Sequence, residues 1–104
     1  MSLCDVTVTT NGAGPCHLVV TLSGELDLAS VPPVERSILA AVAAAEAVTV
    51  DLAGLSFCDS SGLNALAGVR QKADANRVEL SYINAQRAVR RVFEVTGLTD
   101  LLDN

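Results

Sequence analysis

Two short polar segments carry the side chains on which chemistry could turn. The first, Ser23-Gly24-Glu25-Leu26-Asp27, offers two carboxylates; the second, Phe57-Cys58-Asp59-Ser60-Ser61-Gly62, offers a thiol, a carboxylate and two hydroxyls. Carboxylates gathered from both could hold magnesium or form a surface that repels added negative charge, and solvated carboxylates at loop tips are the plainer reading. Cys58 invites a nucleophile reading, yet the single histidine, His17, falls at the far end of its predicted strand and supplies no base. Cys58 therefore reads as a small buried apolar residue, and no catalytic set or metal site is expected. Ser60 stands just before a helical pattern, where its oxygen suits an N-cap. The helix dipole favours negative charge at that place, so a cap and a phosphate acceptor are compatible readings.

The elements that must position these segments follow from hydrophobic periodicity. Val6 and Val8 alternate with threonines, residues 17–23 are β-branched and apolar, and Asn11-Gly12-Ala13-Gly14-Pro15 between them supplies a reversal, which predicts an antiparallel hairpin. Gly24 is expected to end the second strand. Asp27 or Ser30 can cap a helix whose first turn holds Pro32 and Pro33 and whose apolar stripe is Val34, Ile38 and Val42. Residues 47–52 read as a strand. Leu63, Leu66, Ala67 and Val69 lie on a second helix running to about Ala75, with Asn76 at its end. Residues 77–83 alternate again as a strand. Asn84 is expected to cap a third helix bearing Ala85, Ala88, Val89, Val92 and Phe93, with Gly97 as its left-handed terminator before Leu98.

The order is β-β-α-β-α-β-α: an α/β fold with a single-layer mixed sheet of about four strands and an antiparallel edge hairpin. Strand–helix–strand links imply parallel neighbours with right-handed crossovers. Useful chemistry in such sheets gathers at the carboxyl ends of the parallel strands, so both polar segments are expected on one rim.

Composition narrows the function. The 104 residues suit a single domain over 1–104, the Met1-Ser2-Leu3 start being compatible with residues added for expression, and no secretory signal is expected. Half of the residues are hydrophobic and 18% are charged, which suits a packed core; only Phe57, Tyr82 and Phe93 are aromatic, so aliphatic side chains must fill it. A formal charge of −5 argues against nucleic acid. Arg87, Arg90 and Arg91 form the one local basic cluster, read as a solvated helix face or a patch for an acidic partner. Cys4, Cys16 and Cys58 cannot all pair and form no CxxC, which suggests reduced thiols in a cytoplasm. No apolar run reaches the ~18 residues a membrane span needs, so direct membrane insertion is not expected.

Three stretches together carry a resemblance: residues 22–27 (Leu-Ser-Gly-Glu-Leu-Asp), residues 50–63 ending in Asp59-Ser60-Ser61-Gly62-Leu63, and residues 89–98. In this order they resemble the STAS domain, and more narrowly the bacterial anti-anti-sigma factors of sporulation and stress control. The resemblance implies a non-enzymatic, cytoplasmic partner switch with no cofactor of its own. An unphosphorylated protein of this kind binds an anti-sigma factor that is itself a serine kinase, holding its own ATP and Mg²⁺, and so frees a sigma factor. The kinase phosphorylates the serine after the motif aspartate, here Ser60, and a PP2C-type phosphatase resets it. Glu25, Asp27, Asp59, Ser61 and Gly62 match the segments that meet the partner.

Rival readings differ in what they require. A non-switching STAS subunit of a lipid or anion transport complex would have no need of an intact Asp59-Ser60-Ser61-Gly62. A phosphate-accepting receiver domain would need five βα units and a late strand-end lysine, whereas the only lysine, Lys72, falls inside a predicted helix. Direct nucleotide binding lacks a Gly-rich phosphate loop.

Overall fold

The computed structural model describes residues 6–12 and 14–102; the Met1-Ser2-Leu3 start and Cys4 lie outside them. The elements are β1 (Val6–Gly12), β2 (His17–Leu26), α1 (Val31–Ala44), β3 (Ala47–Cys58), α2 (Ser60–Ala75), β4 (Glu79–Ile83), α3 (Arg87–Val95) and a 3-10 turn at Thr99–Leu101. The four strands form one sheet in the order β1-β2-β3-β4, antiparallel between β1 and β2 and parallel elsewhere. This is the expected mixed sheet with its edge hairpin.

Alternation along the strands decides which face is covered. Val20 and Leu22 of β2, Val48, Val50 and Leu52 of β3, and Leu80 and Tyr82 of β4 are buried, while their alternates Val19, Thr21, Thr49, Asp51 and Ser81 stay partly exposed. One face therefore carries the core and the other faces water. Onto the core face α1 delivers Val34, Ile38, Ala41 and Val42, and α2 delivers Leu63, Leu66, Val69 and Ala73; Val89 and Phe93 of α3 join the same cluster. The Tyr82 hydroxyl crosses that layer to donate to the Leu66 carbonyl at 2.7 Å, which satisfies a polar group in a fully buried side chain.

Several boundaries differ from the periodicity, each for a local reason. Gly24 does not end β2: the strand continues to Leu26, and β3 continues past residue 52 to Cys58. Two register shifts, between Thr21 and Ser23 and between Gly24 and Glu25, insert extra residues into β3. Buried positions there fall at Leu52, Leu55 and Cys58, every third residue, so a period-two test misses the strand. Arg77 is left-handed (φ 58°) in the turn after α2, and β4 begins only at Glu79. Asn84 is also left-handed (φ 62°) and is not the N-cap; its amide donates to Asp51 Oδ1 at 3.3 Å, Gln86 holds the N-cap position, and Ala85 precedes the helix. The Gly97 terminator is as expected, with φ 76°, Gly97 N–H donating to Glu94 O and Leu98 N–H to Phe93 O. Beyond it, Leu102 makes a parallel bridge with Tyr82 at the β4 edge.

Tyr82 gives this fold an alkaline limit. Burial pushes its phenol above the ordinary tyrosine range, with the Arg70 charge acting the other way. A group whose pKa is raised on folding stabilises fully below its unfolded pKa of about 10 and ceases to do so as pH rises beyond it. Unfolding free energy from urea titration is expected to fall above about pH 10, and Tyr82→Phe to flatten that fall. At neutral pH Tyr82→Phe should cost about 1 kcal/mol through the lost bond to Leu66.

Candidate functional site at the carboxyl rim

Parallel pairing of β2 with β3 runs to Leu26 opposite Cys58, and the next amide, Asp59 N–H, donates to Leu26 O at 3.1 Å. The two polar segments therefore leave the sheet side by side, as their positions in the chain suggest. From β2 the chain enters a turn wound around Asp27, whose Oδ1 accepts from Ala29 N–H at 3.0 Å and Ser30 N–H at 3.1 Å. Ser30, fully buried, accepts from Asp27 N–H at 2.9 Å and lies 3.1 Å from the Glu25 carbonyl, to which it can donate. Ser30 thus fixes the turn rather than capping the amides of α1, which it reaches with no side-chain bond.

The start of α2 corrects the expected cap. Asp59, not Ser60, is the N-cap: its backbone is extended and its Oδ1 accepts from Gly62 N–H at 3.0 Å, while its carbonyl accepts from Leu63 N–H. Ser60 is the first helical residue and is exposed. An aspartate directly before a serine competes for the cap with the stronger acceptor, and the carboxylate also complements the helix dipole. The cap bond is therefore made by Asp59, not by the exposed Ser60.

Gly62 explains how the helix start sits so close to the sheet. A Cβ there would meet Leu26 Cγ at 2.7 Å, Leu26 Cδ2 at 2.9 Å and Cys58 Sγ at 3.0 Å. Hydrogen in place of a methyl lets the first turn rest on the last buried residues of β2 and β3. Cys58 is buried beneath it, and burial, with the Asp59 charge adding, pushes its thiol up to about 12. Such a thiol is a poor nucleophile at neutral pH.

Of the acidic residues, Glu25 is exposed and Asp27 and Asp59 are partly buried; Ser61 is partly buried beside them. The two aspartates are already turned to the amides of their own loops. Among the described residues no group of three or more His, Cys, Asp or Glu is arranged to hold a metal ion. His17, at the opposite end of β2, places Nε2 2.8 Å from Thr49 Oγ1. No helix among the described residues is long and apolar enough to cross a membrane.

Two apolar residues stand at the rim: Phe57, which opens the second polar segment, and Leu28, which follows Asp27. Both are exposed. The three-residue spacing of Leu52, Leu55 and Cys58 was the available signal that Phe57 lies off the buried face.

The cap assignment separates two neighbouring residues in a stability measurement. Asp59→Ala should cost about 1 kcal/mol, whereas Ser60→Ala should stay within about 0.5 kcal/mol of wild type. In the native protein Cys58 should resist alkylation at pH 7 and Cys16, which is exposed, should react.

The profile described as "Mlab, STAS domain" matches residues 10–103. An anti-sigma-B factor antagonist of Staphylococcus epidermidis is 32% identical over 84 residues, covering 80% of this chain and 78% of the relative. An anti-sigma factor antagonist from Mycobacterium paratuberculosis has a similar structure, with a TM-score of 0.83 at 29% identity over 94% of this chain and 83% of that one. The anti-sigma factor antagonist SpoIIAA in its unphosphorylated form gives a TM-score of 0.77 at 26% identity, covering 92% and 85% of the two chains. The phosphorylated form of Bacillus SpoIIAA gives 0.72 at 26% identity, covering 92% and 88%. With the sheet order, the terminal helix and the Asp59-Ser60-Ser61-Gly62 helix start all in place, the chain belongs to the STAS domain family.

Proposed function

We propose that this protein is an anti-sigma factor antagonist switched by phosphorylation of Ser60. The observation that carries the reading is the exposed position of Ser60 on the first turn of α2, beside Asp59 and on the rim that β2 and β3 share. Its named relatives are antagonists of this class, and SpoIIAA has been solved with and without phosphate. In its unphosphorylated form the protein binds an anti-sigma factor, itself a serine kinase, in the cytoplasm, and the sigma factor goes free. ATP and Mg²⁺ belong to that partner, and a PP2C-type phosphatase restores the hydroxyl.

The geometry gives the switch a physical basis. Phosphate adds about −1.5 to −2 charges and three acceptor oxygens. On the first turn of α2 it lies near backbone N–H groups and the positive end of the helix dipole, so the fold keeps its stability. A protein seated on the rim meets that charge differently: it must desolvate it beside Glu25, Asp27 and Asp59. Ser61 and Gly62 complete the contact surface, Gly62 by holding the helix start low against the strand ends.

Ser60→Ala is expected to keep partner binding and to abolish kinase labelling. Ser60→Asp should weaken binding while leaving circular dichroism unchanged, and equal affinity for Ser60→Asp and wild type would refute the charge switch. Ser61→Ala should still accept phosphate. Mass spectrometry of protein from its native host reads the modified residue and the co-purifying partner together. Recovery of a transport ATPase in place of a small kinase would favour the rival transport subunit.

A further inference from the structure

Among the described residues three large apolar side chains stand exposed: Leu28 at 73%, Phe57 at 45% and Val95 at 80%. Leu28 and Phe57 share the rim with Ser60. Phe57 is the exception among the chain's three aromatics, since Tyr82 and Phe93 are wholly buried.

The backbone holds Phe57 outward. In an unbroken strand, residue 57 would share the face of the buried Leu55, two positions earlier. Instead β3 has an extra residue between Leu55 and Phe57, so Cys58 takes the buried place and Phe57 turns out opposite Glu25. Gly24, across from the bulge, adopts φ 113°, and Ser56 Oγ donates to its carbonyl at 3.1 Å. Bulges of this kind re-aim side chains beside functional sites. Leu28 stands on the turn that Asp27 and Ser30 fix by their mutual hydrogen bonds. Both side chains are thus presented from ordered backbone, which lowers the entropy lost on docking.

We infer that Leu28 and Phe57 are the apolar anchors of the anti-sigma factor on this rim, flanking Ser60. The inference rests on the function proposed above and names the chemistry of the contact. The partner offers an apolar hollow at its centre, edged by basic or hydrogen-bond-donating groups that answer Glu25, Asp27 and Asp59. A second copy of this chain is a poor occupant, because a two-fold contact would set those carboxylates against their own counterparts.

The test uses the purified anti-sigma serine kinase of the native host and isothermal calorimetry against the full-length chain. Phe57→Ala is expected to weaken binding about tenfold or more, as anchors at an interface centre do, and Leu28→Ser to weaken it measurably. The thermal midpoints of both should match wild type, and phosphorylation of Ser60 should show a raised KM with unchanged kcat. Should Phe57→Ala lower the midpoint, Leu28→Ser carries the test alone. Wild type that binds the kinase while both variants bind within twofold of it overturns the anchors and leaves the functional reading standing. Wild type that binds no such kinase, or that forms only a Phe57-dependent dimer, overturns that reading and the anchors with it.

Discussion

Parallel pairing between β2 and β3 is the constraint from which the rim follows. The two strands stay in contact to Leu26 and Cys58, and one further backbone bond, from Asp59 N–H to Leu26 O, ties the start of α2 to the end of β2. Because crossover helix α1 lies between those strands in the chain, residues more than thirty positions apart emerge together. Both polar segments emerge at that edge, where loops and helix N-termini meet. The opposite end of the sheet carries His17 in an ordinary bond to Thr49.

The rim is shaped by groups that are absent as much as by those present. Gly62 has no methyl to push α2 away from Leu26 and Cys58, and Gly54 has none to collide with the side chain of Ser23. Gly24 supplies a backbone angle that a side chain would resist. Each glycine gives up stability that another residue would add in a regular strand or helix, and the aliphatic core beneath the sheet offsets the loss. Asp59 then occupies the cap, which frees the neighbouring serine from a structural duty. A residue that is both cap and phosphate acceptor would alter the helix start whenever it was modified; with the duties divided, the phosphorylation proposed for Ser60 would leave the bond from Gly62 N–H to Asp59 in place.

Most of the architecture was legible in the sequence because its elements obey simple periods. The apolar stripe of α1, the alternation of Val78, Leu80 and Tyr82, and the glycine after α3 all stand where the pattern puts them. The misreadings cluster where two local forces compete. Asp59 and Ser60 are both good caps, and only three-dimensional geometry shows which one accepts from Gly62. Asn84 has the right chemistry for a cap but spends its side chain on Asp51, across the β3–β4 pairing, a contact between residues far apart in sequence. The extensions of β2 and β3 were hidden because a bulge destroys the period by which a strand is recognised.

That last failure coincides with the region argued to carry function, and the coincidence has a physical reason. A regular strand sends every second side chain into the core and leaves the alternates on its solvent face, here mainly threonine, serine and aspartate beside the half-covered Val19. Turning Phe57 outward, two positions after the buried Leu55, requires departing from that alternation. β3 departs from it twice within residues 51–57. The irregularity that made the segment hard to read is thus the feature that distinguishes the rim from the rest of the sheet, and it turns Phe57 outward while Tyr82 and Phe93 stay buried.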